Sequence, residues 1–125
     1  MSLLLDTHVL LWCLATPARL RRDVRRRIES PSETVYFSVV SAWEIELKRG
    51  LGKLKTPDDL EEQMKDKRFA ELPVHLRHVR ALTSLPDLHR DPFDRMLVAQ
   101  AQTDKLVLVT SDDQVLAYPV TTLRA

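Results

Sequence analysis

The sequence predicts an α/β fold built around a parallel sheet. Short apolar or β-branched runs alternate along the chain with longer helical patterns, and the runs lack the regular alternation of a strand that has one face in water. Strands separated by helices require right-handed crossovers, which lay the strands parallel. With 125 residues and 44% hydrophobic content, we expect one domain, residues 1–125, around a single core.

The elements are predicted in chain order from these patterns. Strands are expected at Ser2–Leu5 (SLLL), Thr34–Ser38 (TVYFS) and residues 106–109 (LVLV), with a last short strand at residues 120–122. Helices are expected at residues 8–15, 20–30, 42–51, 58–69, 75–85 and 92–103.

The helix at residues 92–103 has the clearest start. Asp91 suits the N-cap, Pro92 suits the first helical position, and a carboxylate at Asp94 complements the helix dipole. Asp94 also falls on the same stripe as Leu97 and Val98, so it faces the edge of the core rather than water. A carboxylate there needs a compensating charge or hydrogen bonds, and both a helix-stabilising role and a chemical role stay open for it.

The helix at residues 20–30 carries an arginine coat. Leu20, Val24 and Ile28 recur every four residues, and arginines crowd the other faces although the net charge is only +1. A solvated face and contact with nucleic-acid phosphates are equally good interpretations, because arginine is also the preferred phosphate binder. The candidates for substrate contact are Arg22, Arg25 and Arg26.

Acidic residues gather where the predicted strands end. Ligands of parallel sheets bind beyond the carboxyl ends of the strands. Asp6 follows SLLL, Glu44 comes soon after TVYFS, Asp94 opens the helix that leads into LVLV, and Asp112 and Asp113 follow LVLV. Four elements are therefore expected to deliver carboxylates to one rim.

Each of these acids also has a purely structural explanation. Asp6 and either Asp112 or Asp113 could be N-caps, and Glu44 fits a capping box with Ser41. Four caps on one rim is the less economical account. Clustered carboxylates repel unless a cation is present, and an all-oxygen set favours Mg²⁺ or Mn²⁺ over Zn²⁺. Such a site predicts metal-dependent hydrolysis of phosphodiesters.

Other functional classes have little support. Gly50 and Gly52 are the only glycines, so neither a P-loop nor a dinucleotide-binding fingerprint can be written. Cys13 is expected in the core and cannot form an internal disulfide, which together with the absence of a basic signal region predicts a cytoplasmic protein. The uncharged run at residues 7–18 is too short to cross a bilayer. His75 and His78 lie one helical turn apart, which is more often a surface or boundary pair than a metal site.

Four motifs carry a resemblance to a known family. The segments LLLDTHVLLW, SAWEIELK, DPFDRMLVAQA and LVTSDD, in this order and spacing, resemble the PIN domain, and most of all the VapC toxins of bacterial toxin-antitoxin pairs. The resemblance covers nearly the whole chain. It implies a five-stranded parallel sheet in an α/β/α sandwich, Mg²⁺ or Mn²⁺ held by acids, and hydrolytic cleavage of RNA.

The resemblance also implies roles for individual residues. The four acids of the family fall on Asp6, Glu44, Asp94 and Asp112, which would hold the metal and carry catalysis. Thr110 takes the hydroxyl position near the metal or scissile phosphate. The doubled acid in TSDDQ departs from the family pattern and leaves Asp113 as an alternative to Asp112.

Partners are implied in the same way. VapC-like proteins usually form homodimers and are inhibited by a small VapB-like antitoxin. Two other classes remain open: a receiver-like signalling domain with an acidic Mg²⁺ pocket, and a non-catalytic PIN-like module that binds RNA. A receiver would need paired acids after the first strand, where Asp6 stands alone, and a non-catalytic module should have lost some of the four acids.

Overall fold

A parallel sheet organises the chain. In the computed structural model, which describes residues 2–56 and 59–125, the five strands have the order β3-β2-β1-β4-β5, and all neighbours pair in parallel. The α/β fold with a central five-stranded parallel sheet is therefore confirmed. The strands are β1 (Ser2–Leu5), β2 (Thr34–Ser38), β3 (Ala70–Leu72), β4 (Val107–Thr110) and β5 (Thr122–Arg124).

Helices cover both faces of this sheet. Successive side chains of a strand point to opposite faces, and β1 shows the result: Leu3 and Leu5 belong to one hydrophobic cluster, whereas Leu4 belongs to the other. Both faces are buried at β1, which explains its run of three consecutive leucines. The helices are α1 (Thr7–Ala15), α2 (Arg22–Glu29), α3 (Val39–Gly50), α4 (Leu60–Asp66), α5 (Leu76–Ala81), α6 (Pro92–Asp104) and α7 (Asp113–Leu116).

Helix α3 begins three residues earlier than predicted, and this overturns one interpretation. Its N-cap is Ser38, whose hydroxyl accepts a hydrogen bond from the Val40 amide at 3.0 Å. Ser41 is inside the helix and buried, so the capping box between Ser41 and Glu44 is wrong. Because Glu44 is not needed for capping, its burial requires another explanation.

The strand β3 was missed in the sequence. The helix predicted at residues 58–69 begins at Asp58, outside the described residues, and α4 ends at Asp66. Arg68 adopts a left-handed conformation with φ 60°, and its amide bonds to the Lys65 carbonyl at 2.9 Å. This closes the helix as such residues commonly do. The chain can then enter a strand of only three residues, too short to show a pattern.

Two other strands and two helices are displaced from their predicted bounds. The strand predicted at residues 106–109 starts one residue later, because the Leu106 amide caps α6 by bonding to Ala101. The strand predicted at residues 120–122 lies at Thr122–Arg124. The helix predicted from residue 20 begins at Arg22, after a 3-10 turn at Pro17–Arg19, and the helix predicted at residues 75–85 divides into α5 and a 3-10 turn at Leu82–Ser84.

Two further findings concern the cysteine and the lengths of the helices. Cys13 is buried in the cluster that contains Leu3 and Leu5, and burial raises the pKa of its thiol to about 11, so it is an inert core residue. Across the described part of the chain, every helix is too short or too polar to span a bilayer.

Candidate active site

Asp6 connects the neighbouring strands β1 and β4 at the rim. Asp6 follows β1 directly, and its amide donates to the Val109 carbonyl at 3.0 Å. Its carboxylate caps α1, accepting from the Val9 amide at 2.8 Å, and also accepts from the Thr110 hydroxyl at 2.5 Å. Desolvation raises the pKa of Asp6, and these two hydrogen bonds oppose the rise. Asp6 is thus both a helix cap and a buried charge at the rim.

Asp91 and Asp94 divide their roles at the start of α6. Asp91 is the N-cap, because its carboxylate accepts from the amides of Phe93 and Asp94 at 2.8 and 3.2 Å. The Asp94 carboxylate instead lies 2.9 Å from Nε2 of His89, with 18% of its side chain exposed. Burial, reinforced by the negative charges of Asp91, Asp6 and Glu44, raises the pKa of Asp94 to about 6, although the hydrogen bond with His89 lowers it.

Asp112 lies between β4 and α7. Its carboxylate caps α7 through the Gln114 amide at 2.9 Å, and its own amide donates to the Thr110 hydroxyl at 3.1 Å. One of its oxygens lies 3.6 Å from Nε2 of His89. Asp113 instead binds Arg124 at 2.6 Å, with 84% of its side chain exposed. The geometry therefore favours Asp112 over its neighbour as a site residue.

Glu44 is buried and held by two partners. The Thr7 hydroxyl donates to one oxygen at 2.7 Å, and the Lys48 ammonium donates to the other at 2.6 Å. The hydrogen bond with Glu44, together with the charges of Asp91 and Asp94, raises the pKa of Lys48. The ammonium of Lys48 is therefore a fixed positive charge beside the acids, and sequence reasoning did not single it out.

The structure brings some of these groups to within coordination distance of one another. The ligand atoms of His89, Asp94 and Asp112 all lie within 4.8 Å of one another, and in residues 2–56 and 59–125 no other group of three or more His, Cys, Asp or Glu side chains does so. Asp6 and Glu44 are electrostatically coupled to this group but do not belong to it. Sequence reasoning missed His89, although it stands only two residues before Asp91 in HRDPFD.

The donor chemistry of this group fits a divalent cation. Two carboxylates, Asp94 and Asp112, converge, and the negative charges of Asp6 and Glu44 help to raise the pKa of Asp94. Oxygen-rich sets of this kind bind hard divalent ions. Crowded buried carboxylates are destabilising without a compensating charge. The Lys48 ammonium neutralises Glu44, whereas Asp94 and Asp112 have His89 as their nearby basic group.

The arginine helix lies elsewhere. Arg22, Arg25 and Arg26 are exposed, and Arg25 pairs with Glu29 at 2.9 Å. Arg25 also lines a cavity of about 490 Å³ together with Thr34 and Val35 at the amino end of β2. The acids follow the carboxyl ends of the strands, so the structure does not bring Arg25 to the acid rim.

The histidine pair of α5 has a structural role. His78 is fully buried, its Nδ1 accepts from the His75 amide at 3.0 Å, and its Nε2 lies 3.0 Å from Asp104. Nδ1 therefore helps to cap the start of α5, and Nε2 ties α5 to α6. The prediction of a surface or boundary pair holds for the exposed His75 but is wrong for His78, which is fully buried.

Comparison with known proteins decides the family. The PIN domain model matches residues 3–119. The chain belongs to the PIN domain family. The resemblance in the four sequence motifs is thus confirmed, and the matched residues include the acid rim and every strand of the sheet except β5. No match was found among curated proteins.

Solved structures share this PIN fold over almost their full length. VapBC2 from Rickettsia felis, bound to a DNA fragment from its promoter, superposes with a TM-score of 0.76 at 14% identity, covering 98% of each chain. DNA-bound VapBC from Salmonella typhimurium gives 0.72 at 16%, covering 98% of this chain and 97% of that one. FitAcB from Neisseria gonorrhoeae gives 0.63 at 19%, covering 98% and 96%. At these identities the likeness concerns the fold.

Proposed function

We propose that this PIN domain is a metal-dependent endoribonuclease, the toxin of a toxin-antitoxin pair, that hydrolyses RNA phosphodiester bonds in the cytoplasm. The observation that carries the proposal is the convergence of Asp94 and Asp112 at the strand-end rim, with Asp6 and Glu44 coupled to them electrostatically. Perturbed carboxylates gathered at the ligand-binding end of a parallel sheet are characteristic of active sites.

In this proposal the four acids form the site of Mg²⁺ or Mn²⁺, and they contribute to it unequally. Asp94 and Asp112 already present oxygens toward a common point. Asp6 is fixed by the Thr110 hydroxyl, which in turn holds the backbone of Asp112, so Thr110 links two acids from different loops. Glu44 lies behind them and orients Lys48.

A bound divalent cation makes water acidic enough to act as a nucleophile near neutral pH and offsets charge on the phosphoryl oxygens. The chain supplies the surroundings. Burial of Asp6 and Glu44 keeps bulk water from the floor of the site, and the Lys48 ammonium offers a fixed positive charge for an RNA phosphate. In this scheme Arg22, Arg25 and Arg26 contact the RNA backbone outside the acid rim.

The proposed partners are a VapB-like antitoxin and a second copy of the chain. The antitoxin is proposed because two of the structures with this fold are VapBC complexes. A homodimer is supported by an apolar stripe on α3, in which Val39, Trp43 and Leu47 are 38%, 63% and 45% exposed. Apolar side chains repeated every four residues on an exposed helix face indicate a contact surface.

The decisive experiment compares two adjacent acids. Purified wild type, Asp112→Asn and Asp113→Asn are incubated with total RNA in Mg²⁺, Mn²⁺ or EDTA. We expect cleavage by wild type and Asp113→Asn with either metal, none in EDTA, and a loss of orders of magnitude for Asp112→Asn. Cleavage that persists in EDTA would refute the metal requirement, and the reverse pattern of the two variants would move the fourth acid to Asp113.

The receiver-like domain and the non-catalytic RNA-binding module are the two alternatives to the proposed nuclease. Membership of the PIN family and the lone acid after β1 set the receiver-like interpretation aside. A non-catalytic RNA-binding module would bind RNA with the same affinity in Mg²⁺ and in EDTA and cleave none of it. The same incubation, followed by a filter-binding measurement, separates that module from the nuclease.

A further inference from the structure

We propose that His89 is a direct ligand of the metal, so that the site is a mixed nitrogen and oxygen set formed by His89, Asp94 and Asp112 and prefers Mn²⁺ to Mg²⁺. This inference rests on the proposed function and makes it more specific, since the four-acid scheme contains only oxygen ligands. The inference depends on three features of the structure: the spacing of the ligand atoms, the way the loop is held, and the chemistry of the imidazole.

The spacing of the ligand atoms suits one coordination sphere. Neighbouring ligands of an octahedral ion with bonds of about 2.1 Å are separated by about 3.0 Å. Nε2 of His89 lies 2.9 Å from an oxygen of Asp94 and 3.6 Å from an oxygen of Asp112. The 2.9 Å contact is a hydrogen bond, so the partner of this Asp94 oxygen is His89 itself. The oxygens of Asp6 instead accept from Val9 and Thr110, and those of Glu44 accept from Thr7 and Lys48, none of which belongs to the group of three. Nε2 therefore takes a place that a third carboxylate would otherwise fill.

A dedicated clamp holds His89 in position. Its amide donates to the Tyr118 hydroxyl at 3.0 Å, and Arg95 donates to the same hydroxyl at 3.2 Å. Arg95 also donates to the carbonyls of Pro86 and Leu82 at 3.1 and 3.2 Å. Arg95 follows Asp94 directly on α6, and Tyr118 is buried. The loop that carries His89 is thus fixed to the same helix that carries Asp94.

Such anchoring is what a metal ligand requires. Groups outside the coordination sphere orient the ligands, and their loss typically lowers metal affinity about 10- to 100-fold. A histidine needed only to neutralise an acid could sit on a mobile loop, because charge attraction tolerates many geometries. The side chain of His89 is instead only 16% exposed, and its backbone amide is held by the Tyr118 hydroxyl.

The imidazole changes which ion is preferred. Mg²⁺ binds oxygen ligands and retains its waters, whereas first-row transition ions accept imidazole nitrogen readily. Replacing one carboxylate by a neutral imidazole also leaves a less negative site, which weakens the purely electrostatic attraction on which Mg²⁺ depends. His89 therefore shifts selection toward Mn²⁺ within the proposed pair of cofactors.

The test is spectroscopic and needs no RNA. Mn²⁺ is titrated into the wild type, His89→Gln and His8→Gln, with bound ion measured by electron paramagnetic resonance and nitrogen coordination by pulsed detection of ¹⁴N coupling. We expect ¹⁴N coupling in the wild type and in His8→Gln, where the exposed His8 beside Asp6 serves as the matched control. In His89→Gln the coupling is lost and Mn²⁺ affinity falls about tenfold or more, while Mg²⁺ affinity changes little.

The outcomes separate this inference from the proposed function. Bound Mn²⁺ without ¹⁴N coupling in the wild type overturns the role of His89 and leaves the four-acid site intact. Failure of the wild type to bind either Mn²⁺ or Mg²⁺ overturns the metal site itself. If His89→Gln does not fold, Tyr118→Phe serves in its place, because loss of the hydroxyl clamp should lower Mn²⁺ affinity selectively. Equal losses for Mn²⁺ and Mg²⁺ in that variant would contradict the inference.

Discussion

Replacing Asp94 by asparagine should stabilise the protein in the absence of metal. The pKa of Asp94 is raised from 3.8 to about 6, chiefly by burial and by the charge of Asp91. One pKa unit corresponds to about 1.36 kcal/mol, so the ionised carboxylate costs about 3 kcal/mol of folding free energy at pH 7.5. Asparagine weakens the hydrogen bond with His89, and this loss offsets about 1 kcal/mol of the gain in stability. Asp94→Asn should therefore raise the free energy of unfolding by about 2 kcal/mol.

The pH dependence of this effect follows from the direction of the shift. Below about pH 4, Asp94 is protonated in both the folded and unfolded states, so its charge has no effect on stability. As the pH rises from about 4 to about 6, the unfolded state loses its proton first and the wild type becomes less stable. The advantage of Asp94→Asn should therefore be near zero at pH 4, grow through this window and stay constant above it.

Urea unfolding in EDTA at pH 4, 5 and 7.5 measures this advantage. Asp104→Asn is the matched control, because this acid lies on the same helix, while its bonds with Arg77 and His78 lower its pKa. Its substitution should destabilise at pH 7.5, with a loss that shrinks as the pH falls. The reasoning is refuted if Asp94→Asn unfolds at lower urea than the wild type at pH 7.5, or if its advantage is independent of pH.

The remaining predictions concern the cap, the metal and the arginine helix. Asp91→Ala should lower the free energy of unfolding by about 1 kcal/mol through loss of the N-cap and should retain most RNA cleavage. Asp94→Asn should lose RNA cleavage by orders of magnitude. Equal losses of activity in the two variants would show that these acids do not have different roles. Mg²⁺ should raise the melting temperature of the wild type by binding the folded state. In EDTA, Asp6→Asn should melt at a higher temperature than the wild type, because burial disfavours the charge of Asp6. A lower melting temperature for this variant would show that the N-cap hydrogen bond of Asp6 stabilises more than its buried charge destabilises. Changing Arg22, Arg25 and Arg26 together to glutamine should reduce the log-log salt slope of RNA binding by about 0.7 for each phosphate that the helix no longer neutralises. An unchanged slope would leave this helix as a solvated face.

Local physics allowed the sequence to predict the architecture. Parallel strands that are covered on both faces are rich in apolar and β-branched residues, so SLLL, TVYFS and LVLV were recognisable as strands without knowledge of the fold. The start of α6 was equally predictable, because Asp91 and Pro92 satisfy the needs of a helix terminus within a few residues. Since acids that follow parallel strands share one edge, the rim location of Asp6 and Asp112 was predictable as well.

Long-range contacts decided what the sequence could not. Asp112 and Asp113 are neighbours with the same side chain, and their different surroundings come from the fold: Asp112 lies near His89, whereas Asp113 binds Arg124 on β5. Glu44 resembled half of a capping box until Ser38 proved to be the cap. No pattern around His89 in the sequence points to the site. Its side chain meets Asp112 only in the folded chain, and its amide is held by the Tyr118 hydroxyl, 29 residues further along the chain. A pattern in the sequence reports what a residue needs from its own helix or strand, whereas a ligand set is formed by loops that meet only after the sheet has assembled.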